Sequence, residues 1–262
     1  MSSPSDEPHC CSICKRFVPK MTIEILGTER TVQPKCKCEV DKHLGKVKSA
    51  SDYETKRRIE QKFSISNLGQ RFAECRFDTF IPREGTGKVV KEAKAYVEHF
   101  DDIDIEGLLI WGDPGNGKSH LAAAITHEIK AKGKTVVFQT TPELLERIRN
   151  TFNRNERESE KDIMDALLHC DLLVLDDIGS ERITDWVLDV IFRIVDGRYK
   201  QKKPIIYTTN HKPSELKNWL DPKGRIYDRI IETSLVIQNS GTSYRREKAV
   251  EAHKMRGGES NG

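Results

Sequence analysis

No apolar run in this 262-residue chain is longer than a strand requires, and no N-terminal stretch has the hydrophobic length of a secretory signal. Membrane-spanning and secreted classes are therefore set aside, and a soluble, cytoplasmic protein with no membrane partner is expected. An excess of charge of one sign is missing too. The 44 basic and 41 acidic residues leave +3, so attraction to nucleic acid has to come from local basic patches. No internal repeat is visible. Seven cysteines in a cytoplasmic protein point to metal or free thiols before disulfides.

What is present centres on residues 107–119, GLLIWGDPGNGKS. The apolar run Leu108 to Trp111 reads as a buried strand. GDPGNGKS then matches G-x-x-x-x-G-K-[ST], with Gly112, Gly117, Lys118 and Ser119 in register and a helix to follow. Glycines let the loop wrap its N–H groups around phosphates, and the helix adds the positive end of its dipole. Lys118 is placed to reach the β- and γ-phosphates and Ser119 to ligate magnesium. Asp113, Pro114, Gly115, Asn116 and His120 complete the expected nucleotide-contacting set. An ordinary glycine-rich turn would not need the Lys-Ser pair.

The rest of the core follows in strand-sized steps. Thr135 to Gln139 is a second strand, and Leu172 to Leu175 a third that ends in Asp176-Asp177. A carboxylate delivered beside a phosphate loop is what magnesium-assisted phosphoryl transfer needs. Asp176 is assigned to magnesium and Asp177 to the attacking water. Pro204 to Thr209 is a fourth strand delivering Asn210, whose amide can hold that water, and Leu235 to Gln238 is a fifth. Arg225 and Arg229, four apart on a predicted helix, share one face. One of them could complete a neighbour's site as an arginine finger, or each could be tied to Asp228 or Glu232. Between the second and third strands, Glu143 to Asp162 carries Arg147, Arg149, Arg154, Arg157 and Phe152. That mixture suits either a solvated face or a surface for single-stranded nucleic acid.

Ahead of the core, Met1 to Pro8 reads as disordered. Cys11 and Cys14 form a C-x-x-C, and Cys36 and Cys38 a C-x-C, around a possible hairpin at Gly27. Four soft ligands suit a closed tetrahedral zinc, with His9, Cys10 and His43 as competing ligands. Such a zinc is structural, because four protein ligands leave no open position. Leu44 to Phe63 turns helical and basic. Phe72, Phe77 and Phe80 read as anchors docking a linker on the core, and Lys88 to Phe100 as an amphipathic helix.

Taken together, GDPGNGKS, LLVLDD, IIYTTN, GRIYDRI and SYRRE resemble the DnaC/DnaI-type replicative helicase loaders within the AAA+ ATPases, over about Phe72 to Lys248. The front cysteines resemble the zinc-binding region of DnaI-like members. The resemblance implies an α/β fold with a five-stranded parallel sheet in order 5-1-4-3-2, preceded by a small zinc-binding domain. It implies a zinc-binding helicase-interaction module over residues 1–45, a helical linker over 46–82, an ATPase domain over 83–254 and a disordered tail over 255–262. Lys118 and Ser119 match Walker A, Asp176 and Asp177 Walker B, Asn210 sensor 1, Arg229 the finger and Arg245 sensor 2. The helical element holding Arg147, Arg149 and Phe152 falls where the loaders contact DNA. The implied cofactors are ATP, magnesium and zinc. The implied partners are a hexameric replicative DNA helicase, single-stranded DNA and further copies of the chain, and the implied ATPase is weak alone and stimulated by assembly or single-stranded DNA. An IstB-type transposition helper shares the ATPase motifs. An adaptor that binds ATP with negligible turnover is a further alternative, because Asp177 stands where many AAA+ enzymes have glutamate. A small-molecule kinase would need only the phosphate loop.

Overall fold

The computed structural model describes residues 10–25, 28–63, 69–101, 107–152, 158–221 and 223–257. The chain forms two compact units, Met1–Arg57 and Arg58–Gly262, and the division falls inside a helix, α1 (Lys37–Lys62). That helix takes in the basic stretch expected to be helical and runs unbroken through residue 45, where the sequence reading ends the first module.

In the smaller unit β1 (Met21–Ile25) and β2 (Thr28–Val32) pair antiparallel, Met21 opposite Val32 and Ile25 opposite Thr28. This is the expected hairpin. Gly27 at its turn, like Met1 to Pro8 and His9, lies outside the described residues. Cys11 is the one buried side chain among those described in this unit. A two-stranded hairpin on its own is marginally stable at best in water.

The larger unit is organised by five parallel strands, β3 (Gly107–Trp111), β4 (Val136–Thr140), β5 (Leu172–Asp176), β6 (Ile205–Thr209) and β7 (Ser234–Gln238). Their spatial order is β4-β5-β6-β3-β7. Counted within the sheet, this is the expected 5-1-4-3-2 read from the opposite edge. Every residue of β5 and β6 is buried, as a sheet covered on both faces requires. Alternation sorts β3 side chains between two cores. Leu109 joins Leu173 and Tyr207 under α7 (Asp185–Lys200), while Leu108 and Ile110 join Val174 under α4 (Lys118–Ala131).

The lead-in to the sheet docks through its aromatics. Phe72, on the short α2 (Gln70–Ala73), lies 5.2 Å from Phe138, and Phe80 lies edge-on to His120 at 5.3 Å. Next, α3 (Gly87–Glu98) buries Val89, Ala93 and Tyr96, the face expected from its spacing. After β4 come α5 (Thr141–Asn150) and α6 (Glu160–His169), the latter capped by Ser159 accepting from the Asp162 N–H at 3.1 Å. The helix α8 (Pro213–Leu220) is not among the elements read from sequence. Its signal is local: Pro213 opens it, and the Glu215 carboxylate accepts from the Lys212 N–H at 2.9 Å. Two more helices follow, α9 (Arg225–Glu232) and α10 (Tyr244–Gly257).

One buried cation ties this layer together. Arg198, fully buried on α7, donates to the carbonyls of Leu167 and Cys170 at the end of α6 and to that of Pro204 before β6. The negative end of the α6 dipole suits the guanidinium. Among the described residues no helix is long and apolar enough to cross a membrane.

Candidate functional site

β3, β5 and β6 are neighbours in the sheet or next neighbours, so the residues following their C-terminal ends converge, which is where ligands bind in open parallel sheets. The loop after β3 carries left-handed Gly115 and Gly117, with φ of 82° and 100°. A Cβ on Gly117 would lie 2.7 Å from the Phe80 ring. Only glycine allows both the turn and the contact. Lys118, buried, crosses the mouth of the loop, its Nζ donating to the carbonyls of Gly112 (2.8 Å) and Asp113 (2.9 Å) and to Asn210 Oδ1 (2.8 Å). Burial lowers its pKa to about 8, partly offset by the negative charges of Asp177 and Asp176.

Asp176, buried at the end of β5, has its pKa raised to about 6 by burial, opposed by hydrogen bonds from Thr208 and Ser119. Thr208 Oγ1 donates to Asp176 Oδ1 at 2.5 Å and accepts the Asp177 N–H at 2.9 Å. Asp177 adopts a left-handed φ of 57°, which turns its carboxylate toward Asn210, whose Nδ2 donates to it at 2.8 Å. The residues assigned from sequence to Walker A, Walker B and sensor 1 therefore form one hydrogen-bonded group. Thr208 belongs to it as well. The sequence reading does not include it, although a strand residue two before Asn210 shares that residue's face.

The cleft over this group measures about 720 Å³ and is lined by Pro114, Ser119, His120, Glu143, Arg245 and Lys248, among others. His120 is already engaged, its Nε2 lying 2.7 Å from the Arg76 carbonyl. Arg245, exposed on α10, lies close enough to Lys118 to oppose its protonation. Magnesium and ATP fit what is present. A hydroxyl and a carboxylate converge as hard oxygen donors, and a buried lysine sits among loop carbonyls beneath a glycine-lined cradle.

Arg225 and Arg229 share a face of α9 as expected, both over the Phe192 ring, at 5.7 and 5.3 Å. Their carboxylate partners differ from those considered from sequence. Arg225 pairs at 3.3 Å with Asp221, the C-cap residue of α8, and Arg229 pairs at 3.0 Å with Asp196, because α9 packs on α7.

The nucleic-acid candidates separate. Arg147 is committed within the fold: it pairs with Glu158 at 2.7 Å, stacks on Phe63 at 4.1 Å and donates to the Lys62 carbonyl. Arg149 and Phe152 instead meet Trp186 in the first turn of α7. The guanidinium lies 4.9 Å over the indole, and the Phe152 ring stands edge-on at 6.4 Å with 59% of its surface exposed. Trp186 carried no local sequence signal. Arg154 and Arg157 lie outside the described residues.

In the smaller unit the sulfurs of Cys11, Cys14, Cys36 and Cys38 all lie within 4.8 Å of one another. Cys14 and Cys36 are 3.7 Å apart, and Cys36 and Cys38 3.9 Å. Zinc fits: four thiolates at tetrahedral zinc distances would stand about 3.8 Å apart. The Ile13 and Cys14 N–H groups donate to Cys11 Sγ, and the Ser12 N–H and hydroxyl donate to Glu39, fastening the first knuckle to α1. Sharing with the Cys14 and Cys36 sulfurs pushes the Cys38 thiol up to about 12. Cys10 is exposed, and the side chain of His43 lies outside the description.

A family model described as IstB-like ATP binding protein matches residues 42–252. The replicative helicase loader DnaC of Escherichia coli (strain K12) is 32% identical over 208 residues, covering 78% of this chain and 83% of that protein. A crystal structure of the DnaC helicase loader superposes with a TM-score of 0.59 at 27% identity, covering 66% of this chain and all of that one. A crystal structure of DnaI superposes with a TM-score of 0.57 over 67% of this chain and 93% of that one. At 22% identity that likeness speaks for the fold alone. With its phosphate loop, acidic strand end and asparagine tip in one hydrogen-bonded group, the chain belongs to the IstB-like ATP-binding family, as a DnaC-type member.

Proposed function

We propose that this protein is an ATP-dependent loader that delivers a hexameric replicative DNA helicase onto single-stranded DNA. The smaller, cysteine-bearing unit grips the helicase, and the larger unit binds ATP and DNA. One observation carries the reading: a four-cysteine cluster stands in a chain that is 32% identical over 208 residues to a replicative helicase loader. An IstB-type transposition helper, which shares the ATPase motifs, is the second reading. The cysteine module favours the loader.

Each residue group has a task in this reading. Ser119 and Asp176 hold magnesium, which when bound neutralises charge on the β- and γ-phosphates. Lys118 engages those phosphates. Asp177 orients the attacking water, and Asn210 holds Asp177 in position. Arg229 serves a neighbouring copy, exchanging Asp196 for that copy's γ-phosphate on assembly, so turnover is weak in the single chain. The four cysteines hold a structural zinc. Arg149, Phe152 and Trp186 form the DNA surface, an exposed ring and an indole for base stacking with a cation beside them. Arg147 fixes α5 beneath that surface.

Delivery of the source organism's helicase to closed circular single-stranded DNA tests the reading. Protein plus ATP is expected to deposit helicase on the circle. The double variant Phe152→Ala/Trp186→Ala should keep ATP binding but deliver at least about tenfold less, since each stacked base contributes about 1–3 kcal/mol. Undiminished delivery by the double variant would remove these residues from the DNA surface.

A further inference from the structure

Asn116, fully buried at the apex of the phosphate loop, is held by residues outside the loop motif. Its backbone carbonyl accepts two hydrogen bonds, from Arg83 Nη2 at 2.7 Å and from Asn239 Nδ2 at 3.1 Å. Its own Nδ2 returns a bond to the Asn239 carbonyl at 2.7 Å. Asn239 is buried as well, its N–H donating to Trp111 at 2.8 Å and its Oδ1 accepting from the Gly241 N–H at 3.1 Å. The Arg83 guanidinium lies 5.9 Å over Phe80 and 5.4 Å over Tyr244, and the Tyr244 N–H donates to the Gly115 carbonyl at 3.0 Å. The loop is thus clasped by the lead-in segment on one side and by the start of α10 on the other. Asn239 also lies close against the start of the loop: a Cβ on Gly112 would lie 2.2 Å from the Asn239 carbonyl oxygen.

The consequence follows from peptide geometry. In a planar trans peptide the carbonyl of one residue and the N–H of the next point in opposite directions. Holding the Asn116 carbonyl toward Arg83 and Asn239 therefore turns the Gly117 N–H the other way. In phosphate loops it is such N–H groups that cradle the anion. We propose that Arg83 and Asn239 are positioning residues for nucleotide binding, acting through the Asn116 peptide. The geometry of the loop then depends on both the lead-in segment and the stretch between β7 and α10. This rests on the nucleotide reading of the cleft.

The test is titration of the full chain with fluorescent ATP and ADP analogues, alongside melting without nucleotide. Arg83→Ala should weaken ATP and ADP by the same factor, about tenfold, the scale of one charge-assisted hydrogen bond. Arg83→Lys, which keeps a donor, should recover most of that loss. Asn239→Asp keeps the acceptor for Gly241 but sets an oxygen against the Asn116 carbonyl, and should cost at least as much as Arg83→Ala. Should that variant fail to fold, the half-exposed Arg83 pair carries the test alone. Affinities within twofold of wild type for Arg83→Ala, in a protein whose Lys118→Ala variant loses binding, would overturn the proposal. So would a lowered melting temperature with unchanged affinity. Retained binding by Lys118→Ala would instead remove the nucleotide reading itself.

Discussion

Replacing Lys118 with Ala is expected to weaken ATP and ADP binding by a hundredfold or more without unfolding the protein. Removing one partner of a desolvated charge pair costs about 2–5 kcal/mol, and Lys118 is the buried cation that the proposed function assigns to the phosphates. The fold should tolerate the change. Burial lowers the Lys118 pKa to about 8, so its charge is a net cost to the folded chain without nucleotide. Linkage gives the sign: a lysine whose folded pKa lies below its unfolded value destabilises the fold while charged, and that cost fades as pH rises through about 8 toward the unfolded value. The variant should therefore melt within about 3 °C of the parent at neutral pH. Equilibrium titration and a thermal melt, run on the same preparation, separate the two effects. Tight binding retained by the variant would sink the site assignment.

Removal of zinc is expected to unfold the region before about Asp41 and to leave the ATP-binding unit intact. Among the side chains described there Cys11 is the one buried, and a two-stranded hairpin on its own is marginally stable at best. In zinc-finger peptides the metal supplies apparent binding energies of about 10–16 kcal/mol, which is folding energy. Purified protein should contain one zinc per chain, and binding should release protons, because thiols such as Cys38 have to ionise. Hydrogen exchange after chelation should reveal protection lost across residues 10–36 and retained across β3, β5 and β6. Cys14→Ser should act in the same direction. Protein purified without any metal, yet fully protected in this region, would refute the zinc assignment.

How much of this was legible in sequence depended on how local the cause was. Gly112 to Ser119 could be read because one loop carries its own geometry. Asp176-Asp177 and Asn210 could be read because parallel strands deliver their tips to one end of a sheet. The strand order followed from the family resemblance and not from any residue pattern. Arg147 illustrates the opposite case. As a bare position it looked like a DNA contact, but Glu158 and Phe63 hold it, and neither pairing leaves a mark in the local sequence. Arg229 is similar, since its partner Asp196 comes from a helix 33 residues earlier in the chain. Trp186 and Asn239 became visible only once folding placed them beside Phe152 and Asn116. Thr208 was within reach of sequence reasoning, one strand repeat before a residue already chosen.

Light scattering coupled to size-exclusion chromatography tests the central claim most directly, with this protein mixed with its source's replicative helicase in the presence and absence of ATP and magnesium. The account predicts a defined complex that is lost when the residues before Asp41 are deleted and persists in the Phe152→Ala/Trp186→Ala variant. No complex in either nucleotide state would contradict it, and would direct attention to a transposase as the partner of this IstB-like ATP-binding protein.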